Sequence, residues 1–131
     1  MQHVVRPHGS PPVNGYSHAV VFTGPMVAVS AQVPVDAEGR TVGESDPAAQ
    51  IRQVFTNLAT ALQAAGTQLQ DVVKLTVYLT DLADLDDFRR IRDEHLDPAR
   101  PPACSLVQVA GLVHPCFRIE IDALAVLPAS A

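Results

Sequence analysis

Asp-Val-Val-Lys-Leu-Thr-Val-Tyr-Leu-Thr, residues 71–80, sets Val73, Leu75, Val77 and Leu79 in alternation with Lys74, Thr76, Tyr78 and Thr80. A repeat of two puts the aliphatic side chains on one face of a strand and the polar ones on the other. Such a strand needs a covering layer, and one lies immediately upstream. Ile51, Val54, Phe55, Leu58, Leu62 and Ala65 recur at three- and four-residue intervals, the spacing of a helical stripe. Asp46 followed by Pro47 marks its start: the aspartate accepts from orphan amides of the first turn, and a proline at the first helical position loses no bond. Gly66, able to take the left-handed cap conformation, marks its end.

Working outward, Leu85, Phe88, Ile91 and Leu96 predict a second helix over about 84–96, stopped by the proline-rich stretch that follows. Residues 103–110 predict a strand. From residue 117 another begins, with Ile119, Ile121, Ala123 and Ala125 on one face and Arg118, Glu120 and Asp122 on the other. Near the N-terminus, apolar runs at 18–23 and 26–32 are divided by Gly24 and Pro25 and read as a hairpin. The order strand, strand, helix, strand, helix, strand, strand predicts an α+β fold with two helices on one face of a sheet. The opposite face, with Tyr78, Leu106, Leu124 and Val126 among its charges, is too apolar for water alone and points to self-association.

The chain has 131 residues, 47% hydrophobic and 18% charged, which suits one domain, 1–131, with a buried core. No repeat or linker divides it. Nine Lys and Arg against 14 Asp and Glu give a net charge of −5, which works against binding a phosphate backbone. Arg89, Arg90 and Arg92 form the one basic concentration, but Asp86, Asp87, Asp93 and Glu94 interleave with them as on a solvated helix face. Nucleic acid is therefore not an expected partner. Neither a secretory leader nor an apolar run long enough to cross a bilayer is evident, so a cytoplasmic location without membrane attachment is expected. There Cys104 and Cys116 read as reduced thiols. The five histidines are scattered, and no metal site is expected.

Local chemistry goes no further, because no nucleophile elbow, phosphate-binding glycine loop or defensible Ser-His-Asp set is present. Longer blocks say more. Asn-Gly-Tyr-Ser-His-Ala-Val at 14–20, Val-Ser-Ala-Gln-Val-Pro-Val-Asp at 29–36, Gln-Ile-Arg-Gln-Val-Phe-Thr-Asn-Leu at 50–58 and Ala-Ala-Gly at 64–66 open the series. The strand at 71–80 with the Asp-Leu-Ala-Asp after it, Pro-Pro-Ala-Cys-Ser-Leu-Val-Gln-Val-Ala-Gly-Leu at 101–112 and Arg-Ile-Glu-Ile-Asp-Ala-Leu-Ala at 118–125 complete it. Together these resemble successive blocks of the Rid (YjgF) family, also called the endoribonuclease L-PSP family.

That resemblance implies a chorismate-mutase-like fold, one mixed sheet of about six strands, assembled as a homotrimer around a central barrel. It also implies clefts between subunits that bind a small molecule, and hydrolysis of reactive enamines and imines such as 2-aminoacrylate without a cofactor. Carried onto this chain, the water-handling glutamate falls on Glu120 and the pocket tyrosine on Tyr16. The Ser-Gly-Gln block falls on Ser30, Ala31 and Gln32, and the substrate-binding Pro-Ala-Arg-Ser block on 102–105, ending at Cys104 and Ser105. Cys104 thus stands where the deaminating members carry the arginine that grips the substrate carboxylate, and a thiol cannot reproduce that fork. Altered specificity is the expectation. Alternatives are a non-catalytic binding or interaction trimer and, from the family label alone, a ribonuclease. Cys104 as a nucleophile would need an activating base or cation; Arg100, four residues upstream, is a further candidate to replace the missing guanidinium.

Overall fold

A computed structural model describes residues 1–129. Its strands are β1 (Gln2–Val4), β2 (Ala19–Val21), β3 (Met26–Gln32), β4 (Val72–Leu79), β5 (Ala103–Gln108) and β6 (Ile119–Val126), and its helices α1 (Pro47–Ala64) and α2 (Leu85–His95). Asp46 caps α1 as its chemistry predicts, its side chain accepting from the Ala49 amide at 3.1 Å. At the other end Gly66 takes φ +91°, the Thr67 amide donates to the Leu62 carbonyl at 3.0 Å and the Gly66 amide to that of Gln63 at 3.1 Å. These two bonds close the helix by the Schellman arrangement, which a residue with a Cβ would strain.

The larger sheet has the order β3-β6-β4-β5, antiparallel except where β4 runs parallel to β5. Both helices lie on one of its faces. Ile51, Val54, Phe55, Leu58 and Leu62 of α1, with Phe88 and Ile91 of α2, pack there against Leu75, Val77, Leu79, Ile119, Ile121, Ala123 and Ala125. All are nearly or completely buried, so the alternation in β4 and β6 and the stripe in α1 meet as anticipated.

Three expectations change. The strands do not form one sheet: β1 and β2 make a separate antiparallel pair, with His3 opposite Val20. Consequently the runs at 18–23 and 26–32 are not a hairpin. The Ser17 amide donates to the Pro102 carbonyl at 3.0 Å and its hydroxyl to that of Pro101 at 2.6 Å, which ties this segment to the β5 edge. β3 lies at the opposite edge, three strand spacings or roughly 14 Å away.

The second change is the phase of β5. Leu106 sits opposite Val77 and Cys104 opposite Leu75, so both turn toward the helices rather than toward the far face. The third concerns Arg92, expected in solvent with its neighbours but only 5% exposed. The far face keeps exposed Met26, Val107 and Leu124 around Lys74, Thr76, Tyr78, Glu120 and Asp122. Among the described residues, no helix is long and apolar enough to cross a membrane.

Candidate active site

The side chains singled out in the sequence separate into three places. Tyr16 and Cys104 line one cavity of about 310 Å³, between α2, the turn at residues 14–16 and β5, a volume that suits a small organic molecule. Its remaining wall includes Phe88, Leu106, Arg89 and Arg92. Burial pushes the Cys104 thiol up, against a smaller lowering by Arg92 and Lys74, which works against a thiolate at this wall of the cavity. Arg100 is not beside it; it lines a separate recess with Leu96, Asp97 and Pro102.

Glu120 occupies the second place, the far face of the sheet, opposite Tyr78 on β4. Removal from water, and secondarily the Asp122 carboxylate on the same face, hold its carboxyl above the ordinary range. Tyr78 Oη donates to Asp122 at 3.1 Å, and that bond raises the phenol in turn. Arg118, two residues before Glu120, forks onto buried Asp84, Nε to Oδ2 at 2.8 Å and Nη2 to Oδ1 at 3.0 Å. Among the described residues no side chain hydrogen-bonds Glu120. Ser105 faces the same side, its hydroxyl accepting from Lys74 Nζ at 2.8 Å.

Ser30 and Gln32 form the third place, on β3, where the ladder with β6 is irregular between Val29 and Gln32. The Gln32 amide donates to the Ser30 carbonyl at 3.1 Å. Within one chain, then, Glu120 and Ser105 lie on one face, Tyr16 and Cys104 open on the other, and Ser30 and Gln32 sit at the far edge.

A second cavity, about 600 Å³, borders Glu44, His114, Cys116 and Arg118, but Arg118 is held by Asp84 and the other three bond among themselves. Cys116 Sγ donates to Glu44 at 3.4 Å, which raises the thiol, and the Cys116 amide donates to His114 Nδ1 at 3.1 Å. No group of three or more potential metal ligands occurs among the described residues.

Arg92 is the residue the sequence reading passed over. It stands four positions after Phe88 and seven after Leu85, hence on the apolar stripe of α2, and that spacing was the available signal. Its guanidinium lies 5.8 Å from the centroid of the Phe88 ring. Nη1 donates to the Asn14 carbonyl at 3.0 Å, Nη2 to Asn14 Oδ1 at 2.9 Å and Nε to Asp93 Oδ1 at 2.9 Å. Gly15, at φ +69°, lets the turn pass so near that a Cβ there would collide with the guanidinium.

A sequence model of the family described as Endoribonuclease L-PSP matches residues 8–127. A RutC family protein of Synechocystis sp. is 38% identical over 118 residues, 89% of each chain. The 2-iminobutanoate/2-iminopropanoate deaminase of Salmonella typhimurium is 40% identical over 110 residues, 81% of this chain and 83% of its own. Among solved structures, the Rid-family protein YyfB of Yersinia pestis superposes with a TM-score of 0.85 at 35% identity, over 95% of this chain and 97% of that one. These matches span the sheet, both helices and the turn over Arg92, and the chain belongs to the Endoribonuclease L-PSP family, the Rid family that its sequence blocks resemble.

Proposed function

We propose that this chain is a cofactor-independent Rid-type hydrolase that releases ammonia from a reactive imine or enamine, in clefts between the subunits of a homotrimer. The observation that carries this reading is Glu120: a carboxyl raised by burial and Asp122, in no ion pair among the described residues. A raised carboxyl is a stronger base than a free carboxylate, which favours taking a proton from water. The deaminase relative of Salmonella supports the same chemistry at the level of the family.

The reaction balances without oxidant or reductant. Water adds to the carbon of the C=N bond, one of its protons passing to Glu120 and the C=N electron pair taking up a proton at nitrogen. In the resulting carbinolamine Glu120 returns its proton to the nitrogen, the C–N bond breaks to release ammonia, and the hydroxyl gives its proton to solvent as the oxygen lone pair closes the carbonyl. An enamine enters the sequence by protonation at carbon, which turns it into the imine.

The trimer answers the separation of the three places. β3 and β5 are the outer strands of the sheet, β5 joined at its start by the Ser17 segment, and a ring of copies that sets one edge beside the next would gather Ser30, Gln32 and Glu120 with Tyr16, Cys104 and Ser105 from a neighbouring copy. Exposed Met26, Val107 and Leu124 on the far face suit burial in such an assembly. Cys104 in the arginine slot shifts acceptance away from 2-aminoacrylate-type substrates that rely on a carboxylate grip from β5.

The test is ammonia release from a panel of imines generated in solution, with and without a carboxylate. Wild type should accelerate at least one, with 2-aminoacrylate not the best, and Glu120→Ala should lose about 100-fold or more. Binding across the panel without turnover would overturn the reading and make the trimer a non-catalytic binder. Unchanged turnover in Glu120→Ala would remove Glu120 from the mechanism.

A further inference from the structure

We propose that the cavity between α2 and β5 binds a small carboxylate through Arg92 and Arg89, so that the ligand's charge is met from the helix rather than from residue 104. The inference rests on the reading above only in taking the Tyr16–Cys104 cavity as the ligand site.

Burying a guanidinium is unfavourable unless something answers its charge. At Arg92 the answer is incomplete. Three of the five N–H donors of the group are taken, two of them by the neutral oxygens of Asn14 and one by Asp93, a carboxylate whose side chain is 55% exposed. One N–H on each terminal nitrogen is left over at a group whose side chain is only 6% exposed. The guanidinium is also held still, by Asn14 on one side and the Phe88 ring on another. A fixed guanidinium with spare donors in a partly desolvated recess is suited to holding a carboxylate.

Arg89 adds to it. It lines the same cavity and, among the described residues, makes no side-chain hydrogen bond or ion pair, unlike Arg90, which is bonded to Asp87 at 2.7 Å. No carboxylate side chain lines this cavity, so its net charge is positive in a chain of net charge −5. Tyr16 offers a hydroxyl, while Cys104, Leu106 and Phe88 supply apolar surface for a short hydrocarbon. The short thiol at 104 leaves free the space that a long basic side chain from β5 would fill.

The probe is 2-oxobutanoate, the product expected from hydrolysis of 2-iminobutanoate, with 2-butanone as its neutral counterpart, titrated into the full-length protein by calorimetry at low and moderate salt. Wild type should bind the keto acid at least about tenfold more tightly than the ketone, and raising salt should narrow the gap. Arg89→Gln, at a half-exposed position where folding is not at stake, should lose about tenfold for the keto acid and leave the ketone unchanged. Arg92→Lys should lose more, while Arg90→Gln, which removes the same charge outside the cavity, should change nothing. Equal affinity for keto acid and ketone, or an Arg89→Gln protein that binds the keto acid like wild type, would overturn the proposal. The outcomes also separate the two readings. Arginine-dependent binding without turnover of any imine keeps this inference and removes the hydrolase. Turnover of uncharged imines with no affinity for the keto acid does the reverse.

Discussion

Two guanidiniums leave the surface of this protein in different company. Arg118 is matched fork to fork by Asp84, a carboxylate with a side chain 6% exposed, so the pair is neutral. Arg92 on α2 is more deeply covered, yet its main partners are the uncharged oxygens of one asparagine. A cation neutralised by a buried anion holds the fold together and has no net charge to offer a ligand. One cradled mainly by dipoles retains more of its charge, and that difference is why the proposal above falls on Arg92 rather than Arg118.

The largest test of this contrast is Asp84→Ala. It leaves Arg118 without its counter-charge, and because Arg118 is itself 34% exposed the loss should fall below that of a fully buried pair, about 2–3 kcal/mol. The urea midpoint would show it; no change would mean that the Asp84 pair is as dispensable as a surface one. Next is Gly15→Ala, which demands a left-handed alanine and pushes the turn off Arg92, with an expected loss of about 1–2 kcal/mol. Its sharper readout is affinity for 2-oxobutanoate, which should fall while the Asp84–Arg118 pair, probed by the same denaturant series in the double variant, contributes independently.

The smallest effect concerns pH. Glu120 is raised chiefly by burial and secondarily by Asp122, so its ionised, base-competent form appears only above the ordinary carboxylate range. Asp122→Asn removes the like charge and keeps an oxygen for Tyr78, so the acidic limb of kcat/KM should move to lower pH. It should not reach the value of a free glutamate, because the burial remains. A limb that stays in place would mean that another group sets it.

How much of this was legible beforehand differs residue by residue. α1 was readable in full, since its cap, stripe and terminal glycine are local signals within a few turns of one another. The alternation of β4 and β6 was equally plain. The partner of residues 19–21 was not, because a three-residue strand carries no mark of what it pairs with; Gln2–Val4 and the carbonyls of Pro101 and Pro102 decided it. β5 was read in the wrong phase at Leu106, since Cys104, Leu106 and Val107 give no clean alternation. Arg92 was grouped with Arg89 and Arg90 by charge, when its spacing from Leu85 and Phe88 put it on the covered side of the helix.

By itself the amino-acid sequence determined α1, β4 and β6 with the faces they bury, and the family to which the chain is akin, because periodicity, capping and block order are properties of neighbouring residues. Only the tertiary structure decided that Glu120 and Cys104 look out from opposite faces of the sheet, that Arg118 is committed to Asp84, and that Arg92 fills the space beside the thiol. Those outcomes depend on which charges become enclosed together, and enclosure is set by contacts between residues far apart in the chain.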